Sequence, residues 1–130
     1  MPAFTYTTRV AMHETDAEGI VYFANYFHYA EEAETHALAS LGLVVTRDGH
    51  GYPRVHAEVD YSAPLRFFER VEVRALLTRL GNSSLHWRFE LSGESGPVAV
   101  VRVVAARRHR ADGSAAPFSE AERALLAQLM

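Results

Sequence analysis

The hydrophobic pattern divides the chain into one helical segment and several strand segments. Apolar and polar residues alternate from Phe4 to Met12, and this two-residue period predicts a first strand that ends near His13. Residues 14–23 contain a glycine and keep no sustained period, so we expect a loop there.

An amphipathic helix is predicted from Ala24 to Leu41, because apolar residues recur there every three or four positions. The predicted buried stripe consists of Phe27, Ala30, Ala33, Ala37, Leu38 and Leu41. The predicted polar side consists of His28, Glu31, Glu32, Glu34 and Thr35. Gly42 is placed to end the helix in a left-handed conformation. Alanines on the buried stripe let another layer approach closely, which suits a sheet wrapped around this helix.

Alternation returns after a glycine-rich loop at residues 48–51 and predicts four more strands. They cover residues 55–61, 71–78, 85–91 and 98–106, and the turn Gly81–Ser83 joins the second and third of them into a hairpin. The last strand is apolar on both faces apart from Arg102, which indicates an internal strand or a subunit contact. A short C-terminal helix is predicted over 118–129, with Ser119 as N-cap and Glu122 completing a capping box.

These elements predict an α+β protein with one antiparallel five-stranded sheet packed on one long helix, in a single domain over residues 1–130. One helix cannot cover both faces and both edges of such a sheet. We therefore expect a homodimer or homotetramer.

Composition excludes several functional classes. The 130 residues include no cysteine, so disulfides and thiolate chemistry are absent, and no apolar run approaches the ~20 residues of a membrane span. The N-terminus lacks the pattern of a secretory signal, so we expect a cytoplasmic protein without a membrane partner. The formal net charge is -3, and the thirteen basic residues, all arginine, are scattered among sixteen carboxylates, which disfavours nucleic acid binding.

The most specific segment of the chain reads HETDAEGIVYFANYFHY from His13 to Tyr29. It resembles the hotdog-fold acyl-CoA thioesterases of the 4-hydroxybenzoyl-CoA thioesterase type. The family pattern D-x-x-G-x-V-aromatic-x-x-N-Y is matched by Asp16, Gly19, Val21, Tyr22, Asn25 and Tyr26. The resemblance extends to Val59–Tyr61, to Phe68–Val73 and to a late valine-rich strand. It implies a hotdog fold, in which the five-stranded sheet wraps around the long helix.

The resemblance also implies an enzyme that hydrolyses an acyl-CoA thioester to the free acid and coenzyme A. It makes Asp16 the nucleophile or general base and makes Gly19 and the backbone N–H of Phe23 parts of the catalytic segment. Independently of the resemblance, the first N–H groups of the predicted helix have no intrahelical partners and would stabilise negative charge on a thioester oxygen. The alternative role for Asp16 is a loop residue that bonds its own backbone. Glu14 is expected to be a solvated carboxylate.

Tyr22, Asn25 and Tyr26 are candidate substrate-binding residues, although the tyrosines could instead be packing residues and Asn25 a helix cap or a residue that orders the loop. Phe23 stands where many bacterial relatives have histidine, and this difference favours an aromatic or planar acyl group. Some relatives hold the nucleotide phosphates with basic residues at the hairpin turn, which has none here. The candidates that remain by charge are Arg79, Arg88, Arg107 and Arg108.

No cofactor and no metal are expected. His13 with Asp16, or His28 with Glu32, has the spacing of a metal pair, but neither has a third ligand in the sequence. The chain has neither a G-x-S-x-G motif nor a phosphate-binding glycine loop. The alternatives are a non-catalytic acyl-CoA-binding module, a thioesterase that acts on acyl carrier protein and, with least support, a hotdog dehydratase.

Overall fold

The computed structural model describes residues 3–45 and 47–130. The helices are α1 (Asn25–Ser40) and α2 (Glu120–Leu126). The strands are β1 (Phe4–Arg9), β2 (His50–Gly51), β3 (Arg54–Tyr61), β4 (Arg70–Leu80), β5 (Ser84–Gly93), β6 (Gly96–Ala106) and β7 (Arg108–His109). Five strands form one antiparallel sheet in the order β1-β4-β5-β6-β3, and β2 pairs with β7. The α+β architecture predicted from the sequence is confirmed.

One face of the sheet forms the hydrophobic core together with α1. Every second residue of β4, β5 and β6 points into it, and Trp87 and Phe89 stack there with their ring centroids 5.4 Å apart. Ala30, Ala33 and Ala37 of α1 are completely buried, so the helix axis lies close to the sheet. Gly42 follows the helix with φ of 81°, as its predicted role as the left-handed cap requires.

The first strand is shorter than predicted. It ends at Arg9, which pairs with Arg70, the first residue of β4, so no partner strand continues beyond this point. The chain instead forms a 3₁₀ turn over Met12–Glu14, and Met12 is exposed. The sequence predicted a strand up to His13 because its alternation continues beyond Arg9, the last residue that pairs with β4.

Glu34 was wrongly predicted to lie on the polar side of α1. Its side chain is buried because position 34 lies between Ala30 and Leu38 on the same helical stripe. The guanidinium of Arg54 on β3 forms two hydrogen bonds with the Glu34 carboxylate, and the Nη1–Oε2 distance is 2.9 Å. Burial raises the pKa of Glu34, and the contacts with Arg54 oppose this rise.

The C-terminal helix lies against the β4–β5 hairpin and begins at Glu120, directly after the predicted N-cap Ser119. Its predicted capping box is present: the Ser119 hydroxyl accepts from the Glu122 N–H at 3.1 Å, and the Glu122 carboxylate accepts from the Ser119 N–H at 2.8 Å. Arg107 donates to both oxygens of the same carboxylate, at 2.7 Å to Oε2 and 3.0 Å to Oε1. The densest basic cluster of the sequence, Arg107, Arg108 and Arg110, predicts a solvated strand end, but Arg107 is buried, so this prediction is wrong for Arg107.

Strands β1 and β3 are the two edges of the sheet. Most residues of β3 are exposed, including Val55 and Tyr61, while β6 lies inside the sheet between β5 and β3. The outward-facing Val100 and Val104 of β6 are partly exposed. Among the described residues no helix has the length and apolar character needed to cross a membrane.

Candidate active site

Asp16 lies in a tight turn between β1 and α1. The Asp16 N–H donates to the Ile20 carbonyl at 2.8 Å and the Gly19 N–H donates back to the Asp16 carbonyl at 3.0 Å. Gly19 has φ of 79°, a left-handed conformation that glycine adopts without strain. The turn therefore fixes the position of the Asp16 carboxylate relative to the backbone around it.

One oxygen of Asp16 has a structural role and the other has none. Oδ1 accepts a hydrogen bond from the Glu18 N–H at 2.8 Å, the local contact expected of an aspartate beside a glycine turn. Within residues 3–45 and 47–130 no group donates to Oδ2. Asp16 is half-buried. The carboxylate is thus oriented by one oxygen while the second can meet a substrate or a water molecule.

Glu14 organises the loop, a role that the sequence analysis missed. Its Oε1 accepts from the Ala11 N–H at 2.7 Å and from the Tyr29 hydroxyl of α1 at 2.9 Å. Its backbone carbonyl accepts from the Tyr22 N–H at 2.9 Å and from Nδ2 of Asn25 at 2.8 Å. Glu14 is buried, so the prediction of a solvated carboxylate is wrong: its two partners compensate for the loss of water.

Asn25 orders the loop and does not cap the helix. The N-cap position is Ala24, which has no side chain able to satisfy the first N–H groups, and the first turn carries no acidic residue. In the described part of the chain the N–H of Phe23 makes no hydrogen bond with the backbone. The Asn25 and Phe27 N–H groups of α1 donate to the Tyr22 and Ala24 carbonyls, so the free donor is the Phe23 N–H, which lies at the positive end of the helix dipole.

A tyrosine from β3 fixes this helix start. The Tyr61 hydroxyl donates to the Phe23 carbonyl at 2.7 Å, across 38 residues of sequence. No local pattern in the sequence indicates this contact, because it depends on how the sheet places β3 beside the loop. The Phe23 and Tyr22 rings are 61% and 48% exposed and their centroids are 4.8 Å apart, so an apolar surface adjoins the helix start.

Tyr26 is buried within the chain. Its ring makes edge contacts with Tyr61 at 5.0 Å and with Tyr29 at 6.5 Å between centroids. Burial raises the pKa of Tyr26. Hydrogen bonds through Ile20 and Glu14 therefore join Asp16, Gly19, Tyr22 and Asn25 in one loop, and Phe23 adjoins this loop in the chain. Tyr26 lies in the packing.

The arginines selected by charge do not adjoin this loop within the chain. The loop follows the end of β1, beside Arg70, whereas Arg79 lies nine residues along β4, about 30 Å away at the ~3.3 Å rise of a strand. Arg108 follows β6 at the same far end as the hairpin turn. Arg88 is bound to Glu90 at 2.9 Å, and Arg107 is buried against α2, which contradicts its selection as a coenzyme contact.

The candidate metal pairs form no larger cluster. Within the described ranges no group of three or more potential ligands is close enough to hold a metal ion. His28 and Glu32 are 3.5 Å apart on an exposed helical surface.

Comparison with known proteins shows the family of this chain. The family model of the thioesterase superfamily matches residues 18–100. A 1,4-dihydroxy-2-naphthoyl-CoA hydrolase of Synechococcus elongatus is 31% identical over 109 residues, which cover 80% of each chain.

Two solved structures share the fold. A gentisyl-coenzyme A thioesterase superposes with a TM-score of 0.85 at 26% identity, covering 94% of this chain and 98% of the other. A 1,4-dihydroxy-2-naphthoyl-CoA thioesterase from Synechocystis superposes with a TM-score of 0.87 at 23% identity, covering 98% and 97%. The likeness to the Synechocystis structure confirms the predicted hotdog arrangement of sheet and helices.

Proposed function

This chain belongs to the thioesterase superfamily and is an acyl-CoA thioesterase, and we propose that Asp16 and the start of α1 carry the reaction. The observation that supports this assignment is the turn at Asp16. It orients the carboxylate through Oδ1, leaves Oδ2 without a donor, and is tied through Glu14 to the first residues of α1.

Two routes are consistent with this arrangement. As a general base, Asp16 takes a proton from water while the water oxygen bonds to the thioester carbon. As a nucleophile, Asp16 itself bonds to that carbon, and water later cleaves the anhydride formed. In both routes the carbon–sulfur bond breaks, the sulfur leaves with coenzyme A and takes a proton, and the acyl group leaves as a carboxylic acid.

The N–H of Phe23 is the proposed donor to the thioester oxygen. Negative charge grows on this oxygen as the carbon is attacked, so a fixed donor stabilises the transition state more than the substrate. Tyr61 and Asn25 hold the backbone around this donor. Because the donor is fixed before the substrate arrives, little reorganisation is needed during the reaction.

An aromatic acyl group is the proposed substrate class. The Synechococcus relative is named for a dihydroxynaphthoyl thioester and the 26% identical structure for a gentisyl thioester, and both acyl groups are planar and aromatic. The exposed rings of Tyr22 and Phe23 offer a matching apolar surface next to the proposed donor.

Replacing Asp16 with asparagine tests the assignment. Asparagine keeps an oxygen that can accept from the Glu18 N–H, so Asp16→Asn preserves the turn but removes the base or nucleophile. We expect kcat on a panel of aromatic acyl-CoA thioesters to fall by about 10²- to 10⁴-fold. A thiol-trapping reagent measures the released coenzyme A directly, because the chain contains no cysteine.

Glu18→Gln is the matched control, since it neutralises an exposed carboxylate in the same turn and leaves the Glu18 N–H in place. We expect it to keep wild-type kcat. An Asp16→Asn variant with undiminished turnover would contradict the proposed role. Binding of the thioesters by the wild type without any turnover would indicate an acyl-CoA-binding module instead. Faster hydrolysis of thioesters carried on acyl carrier protein would identify that protein, and not coenzyme A, as the carrier.

We also propose that the chain works as a homodimer or homotetramer. The support is the exposed edge of β3, which carries Val55 and Tyr61, together with the outer face of the sheet, which α1 and α2 leave uncovered. Unpaired strand edges of this kind are normally covered in stable proteins.

A further inference from the structure

A groove opens beside the proposed catalytic loop, at the end of the sheet where β1 finishes and β4 begins. It encloses about 720 Å³, which is in the range of small-molecule sites. Its walls include Arg9, Arg66, Phe67, Phe68 and the turn between β5 and β6. None of these residues was selected in the sequence analysis as a site residue.

The groove is attached directly to the catalytic loop. The Val21 N–H donates to the Leu65 carbonyl at 2.8 Å, and Ile20 pairs with Arg66 in an isolated antiparallel bridge. Ile20 also accepts the backbone hydrogen bond that closes the Asp16 turn. The groove wall at Arg66 is therefore joined to the Asp16 turn through a single residue, Ile20.

The wall formed by Phe67 and Phe68 is strained and apolar. Phe68 has φ of 65°, a left-handed conformation that is unfavourable for a bulky side chain. The two phenyl rings are 50% and 61% exposed. Strain that is retained together with exposed aromatic rings is typical of ligand-binding segments.

Arg9 holds this wall in place. Its Nη1 donates to the Phe68 carbonyl at 2.9 Å, and its guanidinium lies 4.8 Å from the centre of the Phe68 ring. The Phe68 N–H also donates to the Val10 carbonyl at 2.9 Å. The rings are consequently presented by a fixed backbone.

The carboxylates in the groove are engaged by the backbone. Glu69 accepts from the N–H groups of Arg66 at 3.0 Å and of Glu94 at 2.9 Å. Glu94 accepts from the Arg70 N–H at 3.0 Å and lies 3.9 Å from Arg9. In the ranges that the structure describes, no carboxylate forms an ion pair with the guanidinium of Arg66.

We propose that this groove binds the nucleotide end of the coenzyme A thioester, with Arg66 on its phosphates and Phe67 stacked on its adenine. This inference rests on the proposed function and adds to it the residues that recognise the carrier. A guanidinium matches phosphate in charge and geometry, and a phenyl ring stacks on any base. The groove also lies beside the loop, whereas the arginines selected by charge lie elsewhere in the chain.

The test compares two thioesters of one aromatic acid: the coenzyme A ester and the pantetheine ester, which lacks the nucleotide. We expect Arg66→Gln to raise KM for the coenzyme A ester about tenfold, the loss of one charge-assisted contact, with little change in kcat. KM for the pantetheine ester should stay at its wild-type value. Phe67→Leu should also raise KM for the coenzyme A ester alone, because leucine keeps the apolar surface but cannot stack.

Arg47→Gln is the control, since it removes an exposed arginine that does not line the groove. It should change neither KM. An unchanged KM in Arg66→Gln, or an equal rise for both esters, would overturn the inference even if the proposed function stands.

Binding of adenosine 3′,5′-bisphosphate, measured by calorimetry, separates the two proposals. Weaker binding by Arg66→Gln than by the wild type supports the groove as the nucleotide site, whatever the hydrolytic activity. Equal binding by both overturns it. Failure of the wild type to hydrolyse either ester would reject the proposed function and not the binding site.

Discussion

Glu14 shows how much of the loop depends on one buried carboxylate. It joins the 3₁₀ turn, the start of α1 and the side chain of Tyr29 through four hydrogen bonds. Burial, and then the Glu14 carboxylate, raise the pKa of the Tyr29 hydroxyl, so this group is protonated and donates at neutral pH.

Tyr29→Phe is expected to lower the free energy of unfolding by about 1–3 kcal/mol, because it removes one of the two donors to Oε1 of the buried Glu14 carboxylate. Urea denaturation measures this loss. Tyr6→Phe is the matched control: the Tyr6 hydroxyl donates to Glu32 at 2.6 Å, but the pair is only partly buried and water can replace the lost donor. Equal losses in the two variants would contradict the special role of Glu14.

At the residue scale, the sequence identified the groups that lie within a short motif. Asp16, Gly19 and Asn25 are close together in the chain, and the structure joins them in one hydrogen-bonded unit. Their catalytic and binding roles stay predictions. Tyr61 and Arg66 could not be identified, because their contacts with Phe23 and Ile20 depend on pairing between segments that are distant in sequence.

Between elements, the pair formed by Glu34 and Arg54 connects α1 to β3. The Glu34 side chain is buried, whereas that of Arg54 is partly exposed and also lies 3.6 Å from Glu31. The pair therefore holds an edge strand against the helix through groups that are costly to leave unpaired.

Arg54→Ala is expected to reduce the free energy of unfolding by about 2–4 kcal/mol at neutral pH, since it leaves Glu34 buried and charged. Burial already raises the pKa of Glu34, and loss of the arginine raises it further. The folded state then binds a proton more readily than the unfolded state, so the deficit should shrink as the pH falls from 8 to 5. A deficit independent of pH would contradict this account. Arg74→Ala, which breaks the partly exposed pair with Glu90, should cost under about 1 kcal/mol.

The second inter-element pair, Arg107 with Glu122, has the opposite pH dependence. The Arg107 guanidinium lowers the pKa of Glu122 to about 2 from its ordinary value of 4.5. Its contribution to stability is complete above pH 4.5 and is lost as the pH falls towards 2. The free energies of unfolding of the wild type and of Glu122→Gln, measured by denaturation, should therefore differ clearly at pH 7 and converge near pH 2.5. A difference in the free energy of unfolding that does not change with pH would show that Glu122 stabilises the fold through its capping bond to the Ser119 N–H and not through its charge.

Periodicity was sufficient to predict the elements but not where they end. The alanine stripe of α1 and the hairpin around Gly81 are both present, because each is determined by local spacing and turn chemistry. The end of β1 is determined by the start of β4, 61 positions later. The buried carboxylate of Glu34 is paired because Arg54 reaches it from another element. The ends of strands and the burial of a charged residue therefore depend on contacts between segments that are distant in the sequence.

For the whole molecule, the proposed assembly can be tested through the two sheet edges. Light scattering should give the mass of two or four chains. Val55→Lys places a charge on the exposed edge of β3 and should shift the protein towards the monomer. Thr5→Lys on β1 is the control for the other edge. A wild-type monomer, or dissociation caused only by Thr5→Lys, would contradict association through β3.

The hydrogen bond between Tyr61 and Phe23 gives the β3 edge a second role. Tyr61 belongs to β3, and its hydroxyl holds the carbonyl of the residue whose N–H is the proposed oxyanion donor. If copies join along β3, the same strand both sustains the oligomer and aligns the catalytic backbone. Turnover per chain should then fall when the enzyme is diluted below its dissociation constant. Tyr61→Phe should reduce the difference in turnover per chain between dilute and concentrated enzyme.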